Sequence, residues 1–109
     1  MSGRLFLAQR VTAAILAFVV AGHLAMIILA ERAGLSAGAI LARTHHNIWL
    51  LAFYAVFVTA AAIHAPIGLR NVLIEWAHWR GRSLDVAMSA FALALLALGL
   101  AAAYAVYAA

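Results

Sequence analysis

The sequence predicts an all-α membrane protein with three transmembrane helices. Hydrophobic residues make up 70% of its 109 residues and charged residues only 9%, more apolar surface than a soluble domain of this size can hide. Three apolar runs are long enough to cross a bilayer, since a helical span needs about 20 residues. They cover about residues 6–30, 47–69 and 84–107. We expect residues 1–109 to form a single transmembrane domain.

The first and third predicted helices carry alanine at every fourth position. Small side chains at this spacing let helix backbones approach each other closely in lipid. The alternative is that alanine is simply abundant in this chain. The stripes are Ala13, Ala17, Ala21 and Ala25 in the first helix and Ala97, Ala101 and Ala105 in the third.

The second predicted helix contains a histidine in an apolar run. An imidazole inside a membrane span is costly, and it usually serves a ligand or a pathway. Ala60, Ala61 and Gly68 lie on the same helix face as His64. This arrangement leaves room for a flat ligand such as haem, because neutral imidazole is a common axial ligand of iron. The alternative is a buried histidine bonded to a carbonyl or polar neighbour.

Pro66 removes one backbone hydrogen bond and is expected to bend the helix.

Two polar segments connect the three predicted helices. Residues 31–46 form the first loop. Residues 70–83 form the second, which mixes tryptophans with charges and is either an interfacial anchor or a docking or ligand site. Ser83 is expected to cap the third helix, with Asp85 in its first turn, where the helix dipole favours an acid.

The distribution of arginine predicts the orientation, since lysine is absent. Five arginines lie on one side of the membrane that the predicted helices cross, and two lie on the other. The positive-inside rule then places the N-terminus in the cytoplasm and the C-terminus outside. This topology accounts for the net charge of +4, so no nucleic-acid partner is expected. The five are Arg4, Arg10, Arg70, Arg80 and Arg82, and the two are Arg32 and Arg43.

A second histidine lies in the first predicted helix. At ~1.5 Å per residue, His23 is roughly 20 Å from Arg10, whereas His64 is only roughly 9 Å from Arg70. Axial ligands of one iron lie at nearly one depth, so the two histidines are not expected to share a haem. Each would need a partner histidine from another chain, unless it is merely packed. The absence of cysteine excludes covalent c-type haem and Cys-ligated clusters in this chain.

The remaining histidines lie outside the apolar runs. His45 and His46 are expected to face solvent or lipid headgroups at the outer surface. His78 is either solvated or in contact with a haem propionate or quinone.

The segment His64–Trp76, which reads HAPIGLRNVLIEW, resembles the membrane-anchor cytochrome b subunits of succinate dehydrogenase and fumarate reductase. The segment Gln9–Ala13, which reads QRVTA, resembles the start of their first helix. The resemblance covers most of the chain, and it includes the plan of three helices with the N-terminus inside.

The resemblance implies roles for individual residues. His64 matches the axial ligand of haem b, opposite a histidine of a second hydrophobic anchor subunit. His23 resembles the first-helix histidine of members with two haems. Arg10 matches an arginine near the quinone headgroup. Glu75 and Trp76 match an acidic-aromatic pair at the inner surface; the aromatic is often a quinone-bonding tyrosine, whereas an indole can donate but is not a phenol.

The expected function is that of a haem b-binding anchor subunit of a succinate:quinone oxidoreductase in the cytoplasmic membrane of a bacterium. It would pass electrons between an iron–sulfur subunit and membrane quinone. A flavoprotein subunit would perform the dicarboxylate chemistry, since this chain has no flavin or nucleotide motif. Arg10, Glu75, Trp76 and His78 are expected to share one depth and to converge on the quinone headgroup. The alternatives are the cytochrome b anchor of another organic-acid dehydrogenase and a haem-free structural anchor.

Overall fold

Four α-helices make up the fold of residues 2–109, the part of the chain that the computed structural model describes. They are α1 (Gly3–Ala33), α2 (Ala37–Thr44), α3 (Ile48–Trp76) and α4 (Arg82–Ala108). Helices α1, α3 and α4 are each long and apolar enough to cross a membrane. The predicted all-α fold with three transmembrane helices is therefore confirmed. The bundle is 47 Å long, which matches a bilayer of about 40–45 Å including its headgroup regions.

Helix α3 lies in the middle of the bundle. Helices α1 and α4 both pack on it, and the short α2 contacts α4. Helix α1 begins at the same end of the bundle at which α3 turns into α4. We call this the arginine-rich end, because it carries Arg4, Arg70, Arg80 and Arg82. Which side of the membrane it faces remains a prediction.

Helix α3 extends seven residues beyond the predicted end at residue 69. Arg70 marks the edge of the apolar run, but a charge does not interrupt the backbone hydrogen bonds of a helix. The helix stops only where the amides of Ala77 and Trp79 both donate to Leu73 O, at 3.0 and 3.2 Å. His78 between them has a φ of 53°, the left-handed conformation that commonly ends helices.

The first predicted loop contains a short helix, α2. The Oγ of Ser36 accepts from the amide of Ala39 at 3.1 Å and so caps its first turn. Asn47 links α2 to α3. Its Nδ2 donates to Arg43 O at 3.1 Å, and its Oδ1 accepts from the Leu50 amide at 3.2 Å.

The start of α4 differs from the prediction at Ser83. The helix begins at Arg82, two residues earlier than predicted, so Gly81 and not Ser83 is at the cap position. The hydroxyl of Ser83 instead accepts a hydrogen bond from Trp79 Nε1 at 2.8 Å. Asp85 does lie in the first turn, as predicted, and its Oδ1 accepts from Arg70 Nε at 3.0 Å. This ion pair joins α3 to α4 at the arginine-rich end.

The alanine stripes do not form the contacts within this chain. All seven stripe residues are exposed, so they face lipid or another chain. Helices α3 and α4 instead approach each other closely at Gly99, where an added Cβ would lie 3.2 Å from Val58 Cβ and closer still to both methyl groups of Val58.

We expect Gly99→Ala to destabilise the α3–α4 contact by about 1–3 kcal/mol, the usual cost of overpacking. The melting temperature of the purified protein should fall. Gly38→Ala is the matched control, because nothing lies within 4 Å of an added Cβ there. A Gly99→Ala protein that melts no lower than the Gly38→Ala protein would show that α3 and α4 can separate without cost.

Candidate functional site

Helix α1 holds the ring of His64 through one nitrogen. Nδ1 lies 3.3 Å from Thr12 Oγ1 and 3.3 Å from Gln9 O. Thr12 is buried, with 6% of its surface exposed, and its hydroxyl donates to Ala8 O at 2.7 Å. The orientation of His64 is therefore set by groups of α1, one helix away.

The side chain of Gln9 continues this polar contact along α3. Its Oε1 accepts from Asn71 Nδ2 at 3.4 Å, and its Nε2 would lie 3.6 Å from a Cβ added at Gly68. Ala60, one turn before His64, is only 3% exposed. Of the small residues predicted to leave room for a flat ligand, Gly68 therefore lies against Gln9 of α1 and Ala60 is buried. The space next to the ring is smaller than the sequence suggested.

The other ring nitrogen of His64 is free within residues 2–109, since the hydrogen bonds of its ring all involve Nδ1. The ring is half-buried, and so is the neighbouring Ala61. An imidazole held at Nδ1 with an open Nε2 is the arrangement that metal-bound histidines have. The residues present thus fit an axial ligand of haem iron; a second ligand would then have to come from outside residues 2–109.

His23 lies at a different height in the bundle. Its ring packs edge-on against Tyr54 and Phe57 of α3, with ring centroids 5.7 and 5.4 Å apart. These residues precede His64 by ten and seven positions, so His23 is about 10–15 Å further from the arginine-rich end at ~1.5 Å per residue. The predicted difference in depth between His23 and His64 is confirmed.

A groove of about 380 Å³ runs beside His23. Its walls are almost entirely apolar, and Tyr54, Thr44 and Arg43 supply the polar groups. Arg43 is half-buried and donates through Nη2 to Gly34 O at 3.0 Å. The groove could take part of a large flat ligand, but a neighbouring chain would have to close it.

Arg10 is exposed and lies on the face of α1 away from α3. Gln9 and Thr12 point at α3, and Arg10 is offset from them by about 100° and 160° around the helix, at 3.6 residues per turn. Arg10 lies seven residues into α1 and forms no ion pair within residues 2–109. A partner for its charge must therefore come from another molecule.

The prediction that Arg10, Glu75, Trp76 and His78 lie at the same depth is wrong. Gln9 is level with Gly68 and Asn71. Arg10 therefore lies about 9 Å or more deeper than Trp76, counting ~1.5 Å for each of at least six residues. The other three are exposed at the arginine-rich end, with Glu75 and Trp76 in the last turn of α3 and His78 just beyond it.

Residues 2–106 match the family model of the succinate dehydrogenase/fumarate reductase transmembrane subunit. The chain belongs to this family. Neither a curated protein nor a solved structure gives a significant match. The match and the three spanning helices establish a multi-pass membrane subunit of the succinate dehydrogenase and fumarate reductase class.

His45 and His46 of this transmembrane subunit are exposed, as expected, at the end of the bundle opposite the arginine-rich end. The rings of His45 and His46 stack with centroids 3.9 Å apart, and His46 also contacts the ring of Tyr107 at 5.4 Å. The backbone amide of His46 donates to Tyr107 O at 2.9 Å. These contacts tie the end of α4 to the turn between α2 and α3.

Thr12 and Gln9 are the residues whose part in the site the sequence did not reveal. Both belong to the segment that resembles the family, but neither was assigned a role. A threonine in the middle of a membrane helix is unremarkable, because its hydroxyl can bond to a carbonyl one turn back. Only the pairing of α1 with α3 shows that the same hydroxyl also meets His64.

Proposed function

We propose that this transmembrane subunit binds haem b through Nε2 of His64 and passes electrons between an iron–sulfur subunit and membrane quinone. The observation that carries the proposal is the histidine inside a membrane span whose Nδ1 is held by α1 while Nε2 has no partner within residues 2–109. The complex would be a succinate:quinone oxidoreductase of a bacterial cytoplasmic membrane.

The residues of this chain supply half of the haem site. Haem b, when bound, supplies a one-electron carrier within the bilayer. His64 would hold the iron from the middle helix of the bundle, and the contacts of Nδ1 with α1 restrict rotation of its ring. The second ligand would come from a histidine of the second hydrophobic anchor subunit.

His23 is proposed as an axial ligand of a second haem. Its height in the bundle excludes an iron shared with His64, for the reason given above. The groove beside it has apolar walls suited to a porphyrin face. Arg43 lines this groove, with its guanidinium bonded to Gly34 O.

Arg10 is proposed to donate to a quinone headgroup. Arginine hydrogen bonds to an anionic oxygen are short and charge-assisted, and Arg10 is exposed within the bilayer, where a quinone diffuses. Glu75 and His78 lie between this depth and water, so their role would be to move protons to and from the site. Trp76 can donate one hydrogen bond through its indole nitrogen.

The arginine-rich end is the proposed docking side for the soluble subunits. It carries Trp76 and Trp79 beside Arg80 and Arg82, a mixture of aromatic and cationic groups suited to a membrane interface. The iron–sulfur subunit would bind there and carry the flavoprotein subunit.

Purification of the intact complex through a tag on this subunit tests the proposal. We expect a flavoprotein, an iron–sulfur protein and a second hydrophobic subunit to co-purify, with a b-type reduced-minus-oxidised spectrum and two haems per complex. If the complex contains no haem, this chain would be a structural anchor only. If the co-purified flavoprotein oxidises a different organic acid, this chain would still be a cytochrome b anchor, but of another dehydrogenase.

The His23→Ala complex tests the second haem separately. We expect it to hold one haem instead of two, because an alanine cannot ligate iron. His45→Ala is the control, since this histidine is exposed near the same end of the bundle. A single haem in the unsubstituted complex that persists in His23→Ala would make His23 a packing residue against Tyr54 and Phe57.

A further inference from the structure

We propose that Thr12 is a positioning residue that fixes the proton of His64 on Nδ1 and so leaves Nε2 as the nitrogen that binds iron. The inference rests on the proposed haem-binding function. It concerns a residue of α1 that does not itself touch the haem.

The hydrogen-bonding groups around Nδ1 determine where the proton is. Gln9 O is a carbonyl oxygen and can only accept. The single hydroxyl hydrogen of Thr12 is used toward Ala8 O at 2.7 Å, with Gln9 O a second acceptor at 3.1 Å. Toward His64, Thr12 can therefore offer only a lone pair. Both neighbours of Nδ1 are acceptors, so Nδ1 carries the hydrogen.

The consequence for Nε2 follows from the chemistry of neutral imidazole. Only one of its two nitrogens carries a hydrogen, and the other keeps a lone pair. With the hydrogen on Nδ1, the lone pair is on Nε2, the nitrogen that has no partner within residues 2–109. An acceptor on the opposite nitrogen also makes a ligating imidazole more basic. Thr12 thus contributes to both the direction and the strength of the ligand.

The position of Thr12 is held by its surroundings. It is the one buried polar or charged side chain among residues 2–109, at 6% exposure, and its bond to Ala8 O fixes the direction of its lone pairs. The contact of Gln9 with Gly68 and Asn71 sets the height of α1 on α3. Thr12 cannot slide past His64 without disrupting this second contact one turn away.

Thr12→Val in the intact complex tests the proposal, since valine keeps the shape and removes the hydroxyl. We expect the haem affinity of the His64 site, measured by transfer to apomyoglobin, to fall about tenfold. That is the lower end of the effect of outer-shell partners, because Gln9 O still accepts. The haem midpoint potential should rise, since a less basic imidazole stabilises ferric iron less. Thr12→Ser should restore both quantities.

Thr59→Val is the matched control. Thr59 also bonds one turn back, to Ala55 O at 2.7 Å, but it is exposed and does not contact His64. We expect its haem affinity and potential to equal those of the unsubstituted complex. If Thr12→Val also leaves both unchanged, Thr12 only fills space and the inference is wrong.

Two further measurements separate the outcomes. Haem that survives His64→Ala would refute the proposed ligand rather than the role of Thr12. If Thr12→Val does not assemble, Thr12→Ala removes the same hydroxyl without the branched methyl groups. In the unsubstituted complex, electron–nuclear double resonance should detect an exchangeable proton on the remote nitrogen of an axial imidazole. If none of the axial imidazoles has one, the tautomer assignment is overturned.

Discussion

The low-spin b-type spectrum of the haem at His64 is expected to disappear in the His64→Ala complex. Alanine removes the imidazole proposed to ligate iron, and the groups of α1 that meet it are a hydroxyl and a carbonyl. The loss should be complete for that haem, while the haem assigned to His23 remains. The measurement is a reduced-minus-oxidised spectrum of the purified complex, together with the number of haems per complex.

His45→Ala serves as the control for general damage, since it removes an exposed imidazole far from the α1–α3 contact. The co-purifying subunits must be present in equal amounts in both variants, so that loss of haem is not loss of assembly. A fully assembled His64→Ala complex with an unchanged spectrum would show that the histidine serves only to join α1 and α3.

Quinone reduction is expected to fall about 10- to 100-fold in Arg10→Ala. A hydrogen bond to a charged group contributes about 1.5–3 kcal/mol, and about 1.4 kcal/mol corresponds to a factor of ten. The quantity to measure is kcat/KM with a soluble quinone analogue. Dehydrogenase activity with a soluble dye acceptor should be unchanged, because the dye takes its electrons before they enter the membrane.

Arg4→Ala is the matched control for Arg10. Both arginines are exposed on α1, but Arg4 is in its first turn, about 9 Å nearer the helix end at ~1.5 Å per residue. Equal quinone activity in the two variants would mean that Arg10 only extends its guanidinium to lipid phosphates. The quinone site would then lie elsewhere on the complex.

Hydropathy was sufficient to predict the three spans and the relative depth of the two intramembrane histidines. Both depend on the number of residues between charged positions, and helical rise converts that number into a distance. The ring contacts of His23 with Tyr54 and Phe57 agree with the predicted difference in depth between His23 and His64. The class of protein followed from the segments around His64 and Arg10.

The end of α3 and the neighbours of His64 could not be obtained in this way. Arg70 ends the apolar run, but the helix continues to Trp76, because backbone hydrogen bonds do not depend on the polarity of the side chain. The error in the depth of Arg10 relative to Trp76 comes from this extension. The role of Thr12 depends on which faces of α1 and α3 meet, and alanine-rich helices of low amphipathicity do not reveal their buried faces.

The bond between α1 and Nδ1 of His64 exists without any other molecule, and this has a consequence for how the cofactor would be captured. The rotational freedom of the ring is lost when the chain folds, so this cost does not fall on ligand binding. A preorganised ligand binds more tightly than a mobile one with the same contacts. If His64 binds haem as proposed, its ring would already be oriented in the folded subunit before a partner supplies the second ligand.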